Sequence, residues 1–230
     1  MIAIDTIFLD AGGVIVQPGW PRVSAALAAQ GVVVGAASLR AVDARARRDI
    51  DESYLVGRTT DHSRGWEYFN RVLAHAGITR STATDAALAA LQEYHRTENL
   101  WEEICDGVME TLPALRALGV TMVVVSNANG RLMHAYRRLD LARWFDHVLD
   151  SHDWGVEKPD PRLFRHALEL AGASADRTIH VGDLYHVDVA GARAAGLRDA
   201  VLLDPNDLYP SADCTRIRRL HELLPLIQRR

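Results

Sequence analysis

Residues 4–13 read Ile4-Asp5-Thr6-Ile7-Phe8-Leu9-Asp10-Ala11-Gly12-Gly13, a short apolar run that stops on an acid and a small-residue turn. Such a run, with β-branched and aromatic residues and a glycine boundary, predicts a strand buried on both faces. Two other runs end the same way. Val120-Thr121-Met122-Val123-Val124-Val125 leads into Ser126-Asn127-Ala128-Asn129-Gly130, and Thr178-Ile179-His180-Val181 leads into Gly182-Asp183. Residues 147–150 and 199–203 are further candidate strands. Helical patterns lie between them: 107–117 with Leu112, Leu115 and Leu118 in phase, then 161–171, then 188–195 closed by Gly196. This alternation predicts an α/β fold, a doubly wound parallel sheet of Rossmann-like type. Ligands of such sheets bind beyond the carboxyl ends of the strands, where all of these polar residues fall.

From about Gln17 to Ile104 the pattern changes. Long Ala- and Leu-rich amphipathic helices are expected over 22–30, 36–55, 63–76 and 84–97, and no strand. The chain therefore reads as a core of residues 1–16 and 105–230, with a helical insertion over 17–104 after the first strand.

Composition narrows the function classes. With 48% apolar and 24% charged residues, the 230-residue chain has the balance of an ordinary globular protein. A net charge of -4 leaves no basic excess to neutralise phosphates, so nucleic acid is not an expected partner. No basic region followed by an apolar run marks a leader, and no stretch approaches the length of a membrane span, so the expectation is a cytoplasmic protein without a membrane partner. Cys105 and Cys214 read as plain thiols, and no His/Cys cluster has zinc spacing.

Taken singly, the polar residues at the strand ends have ordinary explanations. Asp10 could cap a turn, Ser126-Asn127 could begin a helix, and Lys158 before Pro159 could be a solvated loop lysine. Asp183 and Asp188 could be a turn residue and a helix-start acid. Together they make one site. Converging carboxylates repel unless a proton or a cation lies between them, and hard oxygen donors suit Mg2+. A lysine and a hydroxyl beside them complement the charge of a phosphoryl group.

Four ordered segments carry a family resemblance: Asp10-Ala11-Gly12-Gly13-Val14-Ile15, then Ser126-Asn127, then Glu157-Lys158-Pro159-Asp160-Pro161-Arg162-Leu163-Phe164, then Gly182-Asp183 with Asp188 five residues on. In this order they resemble the motifs of the haloacid dehalogenase (HAD) superfamily, and the insertion over 17–104 is similar to its C1 cap. The resemblance implies a magnesium-dependent hydrolase with Asp10 as nucleophile, forming an aspartyl intermediate that water then hydrolyses. It implies that Ser126 and the Asn127 amide bind the transferring group and that Lys158 neutralises charge and keeps Asp10 ionised. It also implies that Asp10, the Gly12 carbonyl and Asp183 bind Mg2+, with Asp188 in support or as a further ligand. The implied partner is a small phosphorylated molecule; a homodimer is left open.

One position departs from the family pattern. Phosphatases of this superfamily usually carry a second Asp two positions after the nucleophile, as general acid and base. Here that position is Gly12, which cannot transfer a proton. Three readings follow: a phosphatase without that acid, a 2-haloacid dehalogenase whose leaving halide needs no proton, and a weakly catalytic binding or regulatory module. The first stands ahead, because the Asp-x-Gly-Gly-Val motif resembles a branch similar to sugar-phosphate phosphatases. His186 is a candidate proton source in place of Gly12, and Trp20, Tyr54, Arg58, His62 and Trp66 are candidate cap contacts, although aromatic residues at helical spacing more often mark packing. Arg45-Ala46-Arg47-Arg48 reads as a solvated helix face.

Overall fold

The computed structural model describes residues 4–53 and 61–228, with side chains except at 61–65 and 228. The described strands are β1 (Thr6–Leu9), β2 (Val16–Pro18), β3 (Trp101–Ile104), β4 (Thr121–Ser126), β5 (His147–Asp150), β6 (Thr178–Gly182), β7 (Asp199–Leu203) and β8 (Thr215–Ile217). Six of them form one sheet in the order β5-β4-β1-β6-β7-β8, and the pairs are parallel throughout. The α/β parallel-sheet fold expected from the sequence is the fold observed.

The chain divides into two compact units, Met1–Gln17 with Ile104–Arg230 and Pro18–Glu103. Helices α1 (Trp20–Ala29), α2 (Ala36–Asp51), α3 (Asp61–His75) and α4 (Thr82–Glu98) lie in the second unit. Helices α5 (Val108–Ala117), α6 (Leu132–Arg138), α7 (Ser151–Trp154), α8 (Pro161–Ala171), α9 (Ala190–Ala194) and α10 (Leu223–Gln228) lie in the first.

In the sheet unit β1 is central and buried along its whole length, which is why its sequence runs apolar without alternation. Leu9 pairs with Val124 of β4 on one side and with Val181 of β6 on the other. On one face Phe8, Val123, Val125 and Leu149 pack with Leu163, Phe164 and Ala167 of α8 and Ala192 of α9. The limits of α8 follow from local chemistry. Asp160 accepts a hydrogen bond from Arg162 N at 2.9 Å, Pro161 occupies the first turn, and Gly172 ends the helix at φ +59.

The helical unit has its own core of Trp20, Val23, Leu27, Leu39, Phe69, Val72 and Leu91. The reading of 45–48 as a solvated face holds for the exposed Arg45 and needs correction at Ala46 and Arg47. Ala46 is fully buried, Arg47 pairs with the buried Asp43 at 3.1 Å, and Arg48 pairs with Glu52 at 2.8 Å. Asp43 also accepts the Tyr68 hydroxyl at 2.5 Å. A second correction concerns strands: β2 and β3 pair in a two-stranded sheet within the stretch read as wholly helical. Three and four residues are too few for a period to show.

Gly191 on α9 lets that helix approach the loop carrying Lys158. A Cβ there would stand 2.7 Å from Phe164 Cε2 and 3.0 Å from Pro159 Cα. Gly191→Ala is expected to lower the unfolding free energy by about 1–3 kcal/mol through overpacking. Urea titration checks this; an unchanged midpoint would mean that the loop yields freely and the packing is not tight.

Candidate active site

Asp10, Ser126 and Asp183 lie at the carboxyl ends of adjacent strands, while Lys158 comes from the loop before α8 and Asp188 from the turn before α9. Asp10 follows β1, and its N–H donates to Val181 O at 2.9 Å, so it stays in register with β6. Immediately after it the chain turns: Ala11 O accepts from both Ile15 N and Val16 N at 2.9 Å, Gly12 bridges to Val16, and Gly13 takes φ +76. Glycine at position 13 suits that left-handed conformation. Ser126 ends β4 and Asp183 follows β6; these two strands flank β1, so the sheet itself gathers the three residues.

Lys158 is not a solvated loop lysine. Its residue surface is 2% exposed, and Nζ lies 2.8 Å from Asp10 Oδ1 and 2.6 Å from Asp188 Oδ1. The contact with Asp10 is an ion pair without hydrogen-bond alignment, since Asp10 Oδ1 has no aligned donor, whereas the contact with Asp188 is a hydrogen bond. Asp188 is fully buried, accepts His180 Nε2 at 3.0 Å on the same Oδ1, and accepts Leu184 N at 3.1 Å on Oδ2. It stands in a π-helical turn, Tyr185–Val189, that leads into α9 in place of the regular helix start expected at 188.

These surroundings drive the two carboxylates apart. Burial pushes the Asp10 carboxyl up, and although Lys158 pulls it down, the Asp188 charge adds to the rise. For Asp188 burial acts in the same upward sense, but Lys158 and the His180 hydrogen bond outweigh it and hold the group below the ordinary carboxylate range. Burial would lower the Lys158 ammonium, yet Asp10 and Asp188 together raise it, so it stays charged. Burial depresses His180, which stays neutral at neutral pH.

Asp10, Asp183 and Asp188 offer carboxylate oxygens all within 4.8 Å of one another, and all three residues are buried. Three carboxylates against one ammonium leave two negative charges among these four groups, which fits a divalent cation bound by hard oxygens. The oxygens are not equivalent, however. Both oxygens of Asp188 accept hydrogen bonds from the protein.

The loops are held by side chains whose roles the sequence did not reveal. Asn127 clamps Lys158 with both ends of its amide: Oδ1 accepts Lys158 N at 2.7 Å and Nδ2 donates to Lys158 O at 3.0 Å. Its expected contribution was through the backbone; the side chain adds a second one. Asp150, at the end of β5, accepts from Gly130 N at 2.9 Å and Leu132 N at 3.3 Å, and Ser151 Oγ accepts Ala128 N at 3.1 Å. These contacts shape the turn after Ser126. His180 was the detectable case, being the one ionisable residue in the buried run 178–182.

Other candidates fall elsewhere. His186 is exposed and packs edge-on against Tyr185 at 5.3 Å. Trp20 is fully buried in the core of the helical unit, and Trp66 stacks on Phe69 at 5.5 Å in the same core. Packing, and not substrate contact, is what the structure gives both. Tyr54, Arg58 and the His62 side chain lie outside the described residues. Among the described residues no helix is long and apolar enough to cross a membrane.

With this geometry established, the chain can be set beside known proteins. The family model for haloacid dehalogenase-like hydrolases matches residues 4–196. A bovine (Bos taurus) relative, haloacid dehalogenase-like hydrolase domain-containing protein 3, is 32% identical over 152 residues; the match covers 66% of this chain and spans about 60% of that relative's length. Ribulose-1,5-bisphosphate 5-phosphatase of Halopiger xanaduensis is 33% identical over 162 residues, covering 68% of this chain and 66% of that protein. A magnesium-bound HAD hydrolase structure from Bacillus subtilis superposes with a TM-score of 0.73 at 20% identity, covering 98% of this chain and 99% of the other, a likeness of fold.

Gly182 makes the carboxylate arrangement possible. A Cβ at that position would fall on the carboxylate carbon of Asp188, far inside van der Waals contact. Gly182→Ala is therefore expected to displace Asp188 from Lys158 and His180 and to cost about 3–5 kcal/mol, the range for breaking a buried ion pair. Chemical denaturation measures this; a wild-type midpoint would show that Asp188 has room to move without loss.

Proposed function

Because the chain belongs to the haloacid dehalogenase-like hydrolase family, we propose that it is a magnesium-dependent phosphatase acting on a small phosphate monoester through Asp10. The observation that carries this reading is the buried Lys158 ammonium held 2.8 Å from Asp10, with Asp183 and Asp188 close by. Relatives support the substrate class: besides the ribulose bisphosphatase, a phosphoglycolate phosphatase of Pseudomonas aeruginosa is 31% identical over 158 residues.

In this mechanism the ionised Asp10 carboxylate attacks phosphorus in line with the leaving oxygen, and water then cleaves the aspartyl phosphate. Lys158 keeps Asp10 ionised and offsets charge on the phosphoryl oxygens. Ser126 Oγ and the Asn127 backbone N–H bind the same oxygens, on a turn braced by Asp150 and Ser151. Asp10 and Asp183, with the Gly12 carbonyl, would hold Mg2+; Asp188 supports the site by anchoring Lys158. When bound, the ion neutralises the phosphate and the carboxylates that surround it. Residues 17–104 serve as a C1-type cap that selects the substrate.

Gly12 keeps the dehalogenase reading as the alternative, since a halide leaves without a proton. The test is release of phosphate from a panel of small phosphomonoesters, with and without Mg2+, for the wild type and Asp10→Asn. Magnesium-dependent release that falls roughly a thousandfold or more in the variant is expected. Folded wild-type protein that releases halide from 2-haloacids but no phosphate would overturn the phosphatase reading.

A further inference from the structure

The proposed reaction makes no use of His180, which occupies the middle of β6 and is fully buried. Its ring meets Phe164 edge-on at 4.9 Å, and its strand neighbour is Phe8. One nitrogen, Nε2, lies 3.0 Å from Asp188 Oδ1; the other, Nδ1, is buried with no hydrogen-bond partner among the described residues. A carboxylate offers only lone pairs, so the nitrogen facing it carries the proton. A second proton on Nδ1 would bury an unpaired donor among apolar groups. The ring is thus placed as a single-tautomer donor aimed at one oxygen.

That oxygen matters. Asp188 Oδ1 is the atom that Lys158 Nζ approaches at 2.6 Å, while the same Nζ lies 2.8 Å from Asp10. A lysine ammonium is a point charge on a flexible stem, and its anions set its position. Leu184 N fixes only Oδ2. Without the donor on Oδ1 the carboxylate can pivot about its last torsion, and Lys158 pivots with it. A ring serving only to fill the core beside Phe164 and Phe8 would be replaced at no loss by an apolar side chain. Its polar edge is the feature that packing leaves unexplained.

We propose that His180 is a positioning residue that, as an Nε2–H donor to Asp188 Oδ1, orients Asp188 so that Lys158 is held against Asp10. The proposal rests on the aspartyl-nucleophile reading for its catalytic consequence, and the test separates the two.

Three forms of the full chain would be compared: wild type, His180→Leu and His180→Gln, whose side-chain amide nitrogen can take the place of imidazole Nε2. Long-range 1H–15N spectra of the wild type are expected to show His180 with a protonated Nε2 and a bare Nδ1; the opposite tautomer overturns the proposal. The buried Lys158 ammonium is expected to exchange slowly enough to give a signal in the wild type, to lose it in His180→Leu and to regain it in His180→Gln. With 4-nitrophenyl phosphate as probe, kcat is expected to fall roughly 10- to 100-fold in His180→Leu with KM within about threefold, and to recover in His180→Gln. An ammonium signal and kcat unchanged in His180→Leu would reduce His180 to packing. Failure of His180→Gln to restore either would equally overturn the donor role. A wild type without turnover overturns the phosphatase reading alone, and the ammonium signal then decides the position of Lys158.

Discussion

A lysine ammonium removed from water must be surrounded by charge or it will not stay charged, and that requirement organises the sheet unit of this protein. Lys158 satisfies it with Asp10 on one side and Asp188 on the other. Removing either partner of such a buried pair costs about 3–5 kcal/mol, because the group left behind keeps its desolvation penalty without its compensation. Several otherwise unrelated features serve this one contact. Gly182 leaves the space that the Asp188 carboxylate fills, and Gly191 lets α9 close on Pro159. Asn127 holds the Lys158 backbone by both its N–H and its C=O. The ammonium is thereby fixed at its base and at its tip.

The same arrangement divides labour between acids that look alike in the sequence. Asp188 accepts hydrogen bonds from Lys158, His180 and Leu184 N, and these stabilise its charge. Asp10 has one ion-pair contact without hydrogen-bond alignment, and burial with a like-charged neighbour raises its carboxyl. A cation beside Asp10 would therefore lower the energy of its charged form. Under the proposed mechanism, environments that push two carboxylates in opposite directions give one site an anchor and a nucleophile from the same residue type.

How much of this was readable from sequence depended on whether the signal was local. Strands buried on both faces leave continuous apolar runs, so β1, β4 and β6 stood out, and α8 was legible at both ends because Asp160, Pro161 and Gly172 each act within a turn. The residues gathered at the strand ends followed from parallel topology alone. What the sequence concealed was long-range or very short. The clamp from Asn127 spans thirty-one positions, and no pattern at residue 127 reports which end of its side chain will be used. Lys158 taken singly looked solvated, and only its grouping with Asp10, Ser126 and Asp183 placed it in the site, because burial of a lysine depends on acids distant in sequence. β2, β3 and β8 are too short to display a period. Trp20 and Trp66 kept two readings until the helical unit's own core claimed them.

Gly12 remains the feature that most restricts the chemistry. The proton that an acid at this position would give has to come from another group, and physical arguments weigh against two that lie close to Asp10. The Lys158 ammonium is held by two carboxylates that raise its affinity for its protons, so it is a poor acid. The Tyr136 hydroxyl is fully buried, and burial together with the Asp10 charge pushes it well above its ordinary value. Under the proposed mechanism, a nucleophilic Asp10 without a tuned acid in Lys158 or Tyr136 favours leaving groups that depart with little protonation. Discrimination in such a site then comes from the leaving group's own basicity as much as from its shape.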